Sequence, residues 1–543
     1  MRKKRVALVA FRKYYDLFSL KENALLEVTS PIQIHTLLGY IQTKPKKFEI
    51  KAIEIFYIWP DEILKKDNIL GFINDYSPDI IAVSLLSVDY GAFESFKKAV
   101  EINNKKKIAW ICGGYLPTIQ PDNMLLNGFD FVIRGHGEVP LFKLLESLSG
   151  GTYISFKEIP GLAWKNGDEI QSNPPKIYRE EESKVKLLYD PFNPGYYRKV
   201  SWQLPAISEQ VYMTTWLGRG CTFKCNYCLN NEMNQGVQLF RSPEIVIEEI
   251  IEMEDRYGVN YVFFGDESFL IDIARVKKLM SMLINNSINK RIHFTFMTDP
   301  NTFLKITEKD REILPILKEA GCEEIQFGVE SGSKYILTQM NKKIELENSY
   351  KAFESTYQNG ISAAAMIILG YEGENLNTLE ETKKIIFTLK PERLSLLFAV
   401  PFHRTQLFTK NEEKLRGLPY FFYDSDLPIY KIDSLEKVLL DTEEIQSPIK
   451  LNNDFLKKHN FSLSKSQLFI LRYRENLMYE YFSSNIFKEK QKSLFIRRVE
   501  KYKEDKNKLI KAGNEWFKVL ERSIGNKKLT KILEGFKDEY KIA

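Results

Sequence analysis

Twice along this chain, short apolar runs alternate with amphipathic stretches, and that alternation confines most of it to parallel α/β architecture. In the first series the expected strands are Val6–Ala10, Ile50–Phe56, Ile80–Leu85, Ile108–Cys112 and Phe131–Arg134. Helical stretches fall near Pro31–Ile41, Asp61–Asn74, Tyr90–Asn103 and Pro121–Leu126, with another after Glu138. Right-handed crossovers of this kind build a doubly wound sheet whose ligands sit at the carboxyl ends of the strands. A hairpin, Gly161–Trp164 and Glu169–Ser172 turned by Asn166-Gly167, follows. A stretch containing Pro174, Pro175, Pro191 and Pro194 then reads as a linker.

The second series places strands near Val211–Trp216, Tyr261–Gly265, Ile292–Met297, Glu324–Val329, Ser362–Leu369 and Leu394–Val400. Its first helix has a clear start, with Ser242 as N-cap and Pro243 at the first helical position. Six strand–helix units are too few for an eight-fold barrel and predict an open, partial one, with function on the loops after the strands. Beyond about Thr409 long charged helices take over, Ser464–Phe487 and Tyr502–Leu520, whose aromatic stripes are read as core. The expected division is 1–155, a doubly wound domain; 156–208, hairpin and linker; 209–408, the partial barrel; and 409–543, a helical C-terminal domain.

The 543 residues suffice for two ordinary cores and a smaller third unit. The apolar run Val6–Phe11 is too short for a signal segment, and nothing approaches the roughly 18 to 20 apolar residues of a spanning helix, so a cytoplasmic location without membrane contact is expected. A net charge of +6 from 78 basic and 72 acidic residues, interspersed, leaves no clear nucleic-acid footprint. Of five cysteines, three fall within eight residues, while Cys112 and Cys322 stand alone near strands and read as small buried residues. That distribution argues for a metal site rather than a disulfide framework.

Cys221, Cys225 and Cys228 lie in one short loop directly after the first barrel strand. Three thiolates on a cubane leave one iron free of protein ligands and open to a small molecule. A closed zinc site is the competing reading, but it needs a fourth Cys or His at finger-like spacing, which the sequence does not offer. The loop resembles the CxxxCxxC signature of the radical S-adenosylmethionine (SAM) superfamily, with Tyr227 as the aromatic residue before the last cysteine. Three further segments agree with it in order. Phe264-Gly265-Asp266-Glu267 resembles the family's GGE position at the SAM amino group, with Asp266 in place of the second glycine. Gln326 to Ser333 resembles the GxESGS segment, whose acid, here Glu330 followed by Ser331, approaches the ribose. Leu369-Gly370-Tyr371-Glu372-Gly373-Glu374 resembles the LGxPGE segment beside the adenine, with Glu372 in place of proline. By the same resemblance Thr298, after the third strand, faces SAM.

A doubly wound domain ahead of such a barrel resembles the cobalamin-dependent branch of the superfamily. Its marks are Ser84-Leu85-Leu86-Ser87 with Val88 and Asp89, Gly113-Gly114-Tyr115, and Arg134-Gly135-His136-Gly137-Glu138, each after a strand. Small residues at such turns let the backbone approach a bulky nucleotide tail. The DxHxxG segment that supplies histidine to cobalt elsewhere is missing after the first strand, so the resemblance implies base-off cobalamin with no histidine lower ligand. Trp59 and the Val88–Tyr90 loop are candidates for the residue facing cobalt. A doubly wound module that merely packs on the barrel is the plainer alternative.

The resemblance implies a 4Fe-4S cluster, SAM and cobalamin as cofactors, an external electron donor of flavodoxin or ferredoxin type, and a small-molecule or peptide substrate. A 5′-deoxyadenosyl radical would activate an unactivated carbon, which then receives a methyl group from methylcobalamin. Rearrangement, ring contraction or cyclisation without methyl transfer is the alternative within the same chemistry, and a non-catalytic cobalamin sensor is the alternative outside it. His403 and Arg404, after the sixth strand, are either substrate or catalytic contacts or parts of a solvated turn. With only Cys112 and Cys322 outside the triad, no auxiliary cluster can be built from cysteine.

Overall fold

Val6 to Ala10 are all buried, a continuous run of the kind that forms the middle of a parallel sheet covered on both faces. In the computed structural model, which describes residues 2–13, 31–57, 67–104, 106–151, 154–190, 211–415 and scattered positions from 467 to 490, this run is the centre of the front sheet. Its strands are β1 (Lys4–Lys13), β2 (Phe48–Tyr57), β3 (Ile80–Ser84), β4 (Ala109–Gly113), β5 (Phe131–Ile133), β6 (Leu162–Asn166) and β7 (Glu169–Ser172). They run in the order β2-β1-β3-β4-β5-β6-β7. The order reverses at β1/β3, the switch point at which ligands of doubly wound sheets settle. Helices Ile32–Gln42, Tyr90–Asn103, Pro121–Leu126 and Glu138–Leu148 lie where the periodicity puts them. The second helix is described from Asp67 to Tyr76, the earlier part of its expected span lying outside the described residues.

One difference from expectation concerns the hairpin. It belongs to the sheet, since β6 pairs antiparallel with β5 through Phe131–Trp164, Val132–Ala163 and Ile133–Leu162, making seven strands instead of five. Burial explains this: Leu162 and Ala163 are fully buried and Trp164 nearly so, and an apolar strand of that kind covers the open edge of β5.

The second sheet begins with β8 (Tyr212–Thr215). A two-residue ladder of β9 (Gly218–Arg219) with β10 (Leu239–Phe240) branches off immediately after it. The sheet continues through β11 (Tyr261–Phe264), β12 (His293–Thr298), β13 (Cys322–Glu330), β14 (Ser362–Leu369) and β15 (Arg393–Phe398). All neighbours are parallel, in the order β15-β14-β13-β12-β11-β8, which is the expected partial barrel. Ser242 caps the Pro243–Tyr257 helix by accepting from the Ile245 N–H at 3.3 Å, and Gly258, at φ 66°, ends it. Cys112 and Cys322 are buried and free.

The described positions of the expected Ser464–Phe487 helix pack on the barrel as core. Ile470 and Tyr481 are fully buried, and the Tyr481 hydroxyl donates to the Pro391 carbonyl at 2.6 Å. Tyr502–Leu520 lies outside the described residues, as does Trp59.

Candidate active site

Three thiols cannot gather in an eight-residue loop unless its backbone is held, and the fold holds it from several elements. Trp216, just past β8, lies under two guanidinium groups, Arg241 at 4.3 Å and Arg219 at 5.1 Å from its ring centre. Arg241 is fully buried and donates to the Trp216 carbonyl and to Glu249. The Asp266 carboxylate accepts from the backbone N–H groups of Leu217 and Gly218, and Glu267 accepts from Gly220 at 2.8 Å. The carboxylate of Asp266 therefore turns into the backbone beneath the loop, where burial pushes its pKa up to about 8.

Beyond Cys221, Asn226 bonds through its backbone and side chain to the carbonyls of Met340 and Gln339, at 2.9 and 2.8 Å. Asn341 donates to the Lys224 carbonyl at 2.6 Å. Backbone N–H groups approach two sulfurs at 3.4 Å, Phe223 toward Cys221 and Asn230 toward Cys228.

Although Cys228 is exposed, desolvation by the surrounding protein and the neighbouring thiols push it up to about 11, and burial likewise raises Cys221 and Cys225. Thiols so placed keep their protons until a metal binds the sulfur as thiolate and the proton leaves to solvent. Among the described residues, the trio whose ligand atoms all lie within 4.8 Å of one another is His136, Glu138 and Glu182, so the three sulfurs are spread more widely than that. Ligands 2.3 Å from a tetrahedral zinc would sit about 3.8 Å apart. The wider spread exceeds what one tetrahedral zinc needs and leaves room for a cubane, whose corner irons take the thiolates.

Next to Cys225 the barrel gathers a second group. The Tyr227 hydroxyl faces Cys225 and Glu330, and burial raises its pKa well above the usual range. Glu330 ends β13 at a break in register with φ +66°, a conformation that costs a non-glycine residue energy and persists only where the surroundings impose it. Its Oε1 lies 3.0 Å from Nζ of Lys342, an ammonium whose pKa burial lowers and Glu330 and Cys225 raise further, the net direction being upward. Lys342 offsets negative charge from the thiolates and from any acid bound beside them. At the end of β12, Thr298 Oγ1 and Asp299 Oδ2 are buried without a hydrogen-bond partner among the described residues, as is Ser268 Oγ past β11. Buried polar atoms of this kind call for a ligand, and SAM, with amino, carboxylate and hydroxyl groups, fits them.

Gly370, at φ +76°, donates its N–H to Glu374, whose carboxyl burial pushes up to about 8. The Ser331 side chain bonds to Thr382 and to the Ser333 N–H, both at 3.1 Å, and so shapes the turn rather than the opening above it. His403 stacks on Phe408 at 4.1 Å, and Arg404, at φ +69°, reaches Glu232 at 3.7 Å. Arg404 thus pairs with the Asn230–Asn234 helix that follows the cysteine loop, and, three residues on, the Leu407 N–H donates to the Asn226 carbonyl inside that loop at 3.1 Å.

The strand ends of the front sheet face the same region. Leu86, 44% exposed, lies past β3 beside half-buried Ser84, and Gly113 is open enough that a Cβ would meet nothing nearer than 3.5 Å. Gly114, at φ +102°, must be glycine, because a Cβ there would sit 2.8 Å from the Leu85 carbonyl oxygen. Small residues and an exposed apolar side chain past β3 and β4, next to the switch point, let a bulky ligand approach the backbone. Asp89 caps its own turn by accepting from Leu86 at 3.1 Å, and buried Ser87 lies in that turn with Val88. Tyr115 lies within electrostatic reach of Glu267, Cys228 and Arg219 of the barrel.

Past Gly135, at φ +75°, and Gly137, both His136 and Glu138 are buried against Arg219. Burial alone would raise the Glu138 carboxyl, but Arg219 and His136 pull it below the ordinary carboxylate range. The residues that sequence reasoning missed are Arg219, Asn230, Asn234, Asp299, Lys342 and Glu182. Arg219, two positions before Cys221, and Lys342, in the pair Lys342-Lys343, left the only local signals.

Comparison with known proteins agrees with this geometry. The model of the radical SAM superfamily matches residues 217–386, and that of the B12 binding domain matches residues 46–145. The uncharacterized methyltransferase PH0819 of Pyrococcus horikoshii is 26% identical over 351 residues, covering 64% of this chain and 72% of the relative. The anaerobic magnesium-protoporphyrin IX monomethyl ester cyclase of Rubrivivax gelatinosus is 23% identical over 389 residues, covering 69% and 66%. Among solved structures, the methyltransferase TsrM of Kitasatospora setae with cobalamin and a [4Fe-4S] cluster superposes with TM-score 0.57 at 15% identity, over 77% of this chain and 79% of that one. OxsB with aqua-cobalamin and S-adenosylmethionine does so with TM-score 0.58 at 16% identity, over 99% and 76%. At those identities the likeness is one of fold. With one family model on the front sheet and the other on the barrel, the chain carries a B12-binding domain followed by a radical SAM domain.

Proposed function

We propose that this enzyme methylates an unactivated carbon of a small-molecule or peptide substrate held between the two sheets. What supports the reading is one juxtaposition: Tyr115, directly after β4 of the front sheet, lies within electrostatic reach of Glu267 and Cys228 of the barrel, so groups bound at the two sets of strand ends would face each other. When bound, the cluster with SAM supplies hydrogen abstraction from carbon, and cobalamin supplies the methyl group.

The chain's own task is to bind, orient and exclude water. Cys221, Cys225 and Cys228 would hold three irons. Tyr227, Gly265, Thr298, Glu330 and Gly370 would line SAM, with Asp299 and Lys342 added to that set. Asp266, Glu267 and Ser331 would act through the backbone they hold. Glu374, with its pKa near 8, keeps a proton at neutral pH while its Oε2 accepts from Gly370, so no negative charge develops there. Ser84, Ser87, Val88, Asp89, Gly113, Gly114, Tyr115, Gly135 and Gly137 would border cobalamin, His136 and Glu138 supporting that border from behind.

Cobalamin would be base-off without histidine on cobalt. His35 is fully buried with Nδ1 bonded to the Leu188 carbonyl at 3.0 Å, and the His136 ring is enclosed by Asn234, Glu182 and Arg219. A flavodoxin- or ferredoxin-type donor in the cytoplasm would reduce the cluster. The domains would follow the division 1–155, 156–208, 209–408 and 409–543. Among the described residues no helix is long and apolar enough to cross a membrane.

Anaerobic reconstitution with iron, sulfide and hydroxocobalamin is the first test, and about four irons and one cobalt per chain are expected. With reductant and SAM carrying a labelled methyl group, each turnover should then yield one S-adenosylhomocysteine, one 5′-deoxyadenosine and a labelled product. The likeness to a cyclase favours a second reading, rearrangement or ring closure. Deoxyadenosine without homocysteine would support it, and SAM left intact under strong reduction would favour the cobalamin sensor.

A further inference from the structure

The loop after β5 carries two of its side chains away from the sheet and into the barrel. His136 Nε2 lies 2.7 Å from Asn234 Oδ1, and Asn234 Nδ2 donates to Asn230 Oδ1 at 2.9 Å. That same oxygen accepts the backbone N–H of Cys221 at 3.1 Å, while the backbone N–H of Asn230 points at Cys228 Sγ. An unbroken line of polar contacts thus runs from the front domain to two of the three cysteines.

Arg219 makes a parallel connection. Its Nη1 donates to Glu138 Oε1 at 2.7 Å, and its Nη2 lies 2.8 Å from both Glu182 Oε2 and His136 Nδ1. Glu182 Oε2 in turn lies 2.6 Å from His136 Nδ1. Glu138, Glu182, Asn234, Asn230 and His136 are all at most 5% exposed. The ligand atoms of His136, Glu138 and Glu182 are near enough together for a metal ion, but the guanidinium of Arg219 already supplies the cation among them.

A buried network of ion pairs and hydrogen bonds resists displacement of its members, although Glu138 Oε2 and Arg219 Nε are left without a partner among the described residues. Its front-domain members sit at the carboxyl end of β5, where a ligand of this sheet borders them. Its barrel members hold the amide of one cluster cysteine and the strand two residues before it.

We propose that this clasp couples the two cofactor sites, with Arg219 as its positioning residue, so that loading of the cluster and loading of cobalamin each tighten the other. The proposal rests on the reading above that both cofactors bind. Coupling between sites is reciprocal and typically amounts to about 5- to 150-fold in affinity. Hydroxocobalamin titrated by absorption into the full chain should therefore bind at least about 5-fold more tightly after iron–sulfur reconstitution than before it.

In Arg219→Gln and Asn234→Leu the ratio should fall to within about twofold, with iron near four per chain and cobalamin still bound. Arg219→Lys, which keeps the charge but loses the fork, should fall between. Wild-type hydrogen exchange is a readout independent of the variants: amides of residues 217–221 and 230–234 should slow when hydroxocobalamin is added. Wild-type protein that binds both cofactors with no change in ratio or exchange overturns the coupling. Variants that keep the full ratio, or a divalent metal beyond the cluster that is lost in His136→Gln, overturn the role given to Arg219. A wild-type chain that holds iron but no cobalt overturns the functional reading instead.

Discussion

The cysteine loop and the strand ends of the front sheet face one another, yet they are specified in opposite ways. In the loop, function is carried by side chains at fixed spacing, and the backbone beneath them is held by Asp266, Glu267, Asn226 and Asn341. At the front sheet, function is carried by the shape of the backbone: Gly114 has a conformation and a clearance open only to glycine. A chemical centre can therefore be removed by one atom, whereas a shaped surface is lost by adding one.

The comparison is broken most completely by Cys225→Ala. Iron per chain should fall from about four to less than one on reconstitution, and reductive SAM cleavage by at least about 1,000-fold, read by iron assay and by deoxyadenosine release. Gly114→Ala tests the other side. A strained φ and a Cβ pressed on Leu85 should cost about 1–3 kcal/mol of stability and weaken hydroxocobalamin binding, while reconstituted iron stays unchanged.

A smaller effect separates support from contact. The Asp266 carboxyl has its folded pKa raised by burial from the ordinary 3.8 to about 8, so the folded state holds the proton more tightly. Its favourable contribution is present below about pH 4 and is lost as pH rises toward about 8. Asp266→Asn should flatten that part of the dependence of denaturation midpoint on pH, whatever it does to the midpoint itself. Least of all, Leu86→Ala should leave stability within about 0.5 kcal/mol, as exposed substitutions do, and reduce cobalamin affinity severalfold.

What the sequence made legible follows the same division. Both sheets, the Ser242-Pro243 helix start and the triad were readable because each depends on residues close in the chain. The hairpin's place in the front sheet was not, since strand pairing at an edge is decided by apolar surface elsewhere that needs covering. His136 was expected at cobalamin, and its ring meets Asn234, 98 residues away, and Arg219, 83 away. No local period encodes a meeting of that kind. Asp266 carried an acid's identity without its direction, and Lys342 differs from its neighbour Lys343 only in where the turn after the Lys334–Gln339 helix points it.

Each sheet is also contiguous in the chain, the front one drawn from residues 4–172 and the barrel from residues 212–398. A chain emerging from the ribosome can therefore complete its front sheet while the barrel is still being synthesised, as domains that fold in order do. Until Arg219 arrives, however, the acids at positions 138 and 182 have no guanidinium to meet, and water must solvate them. Docking of the two halves therefore includes the burial of ionic contacts beside apolar ones, which makes that step sensitive to salt at a stage when the finished enzyme's interior no longer is.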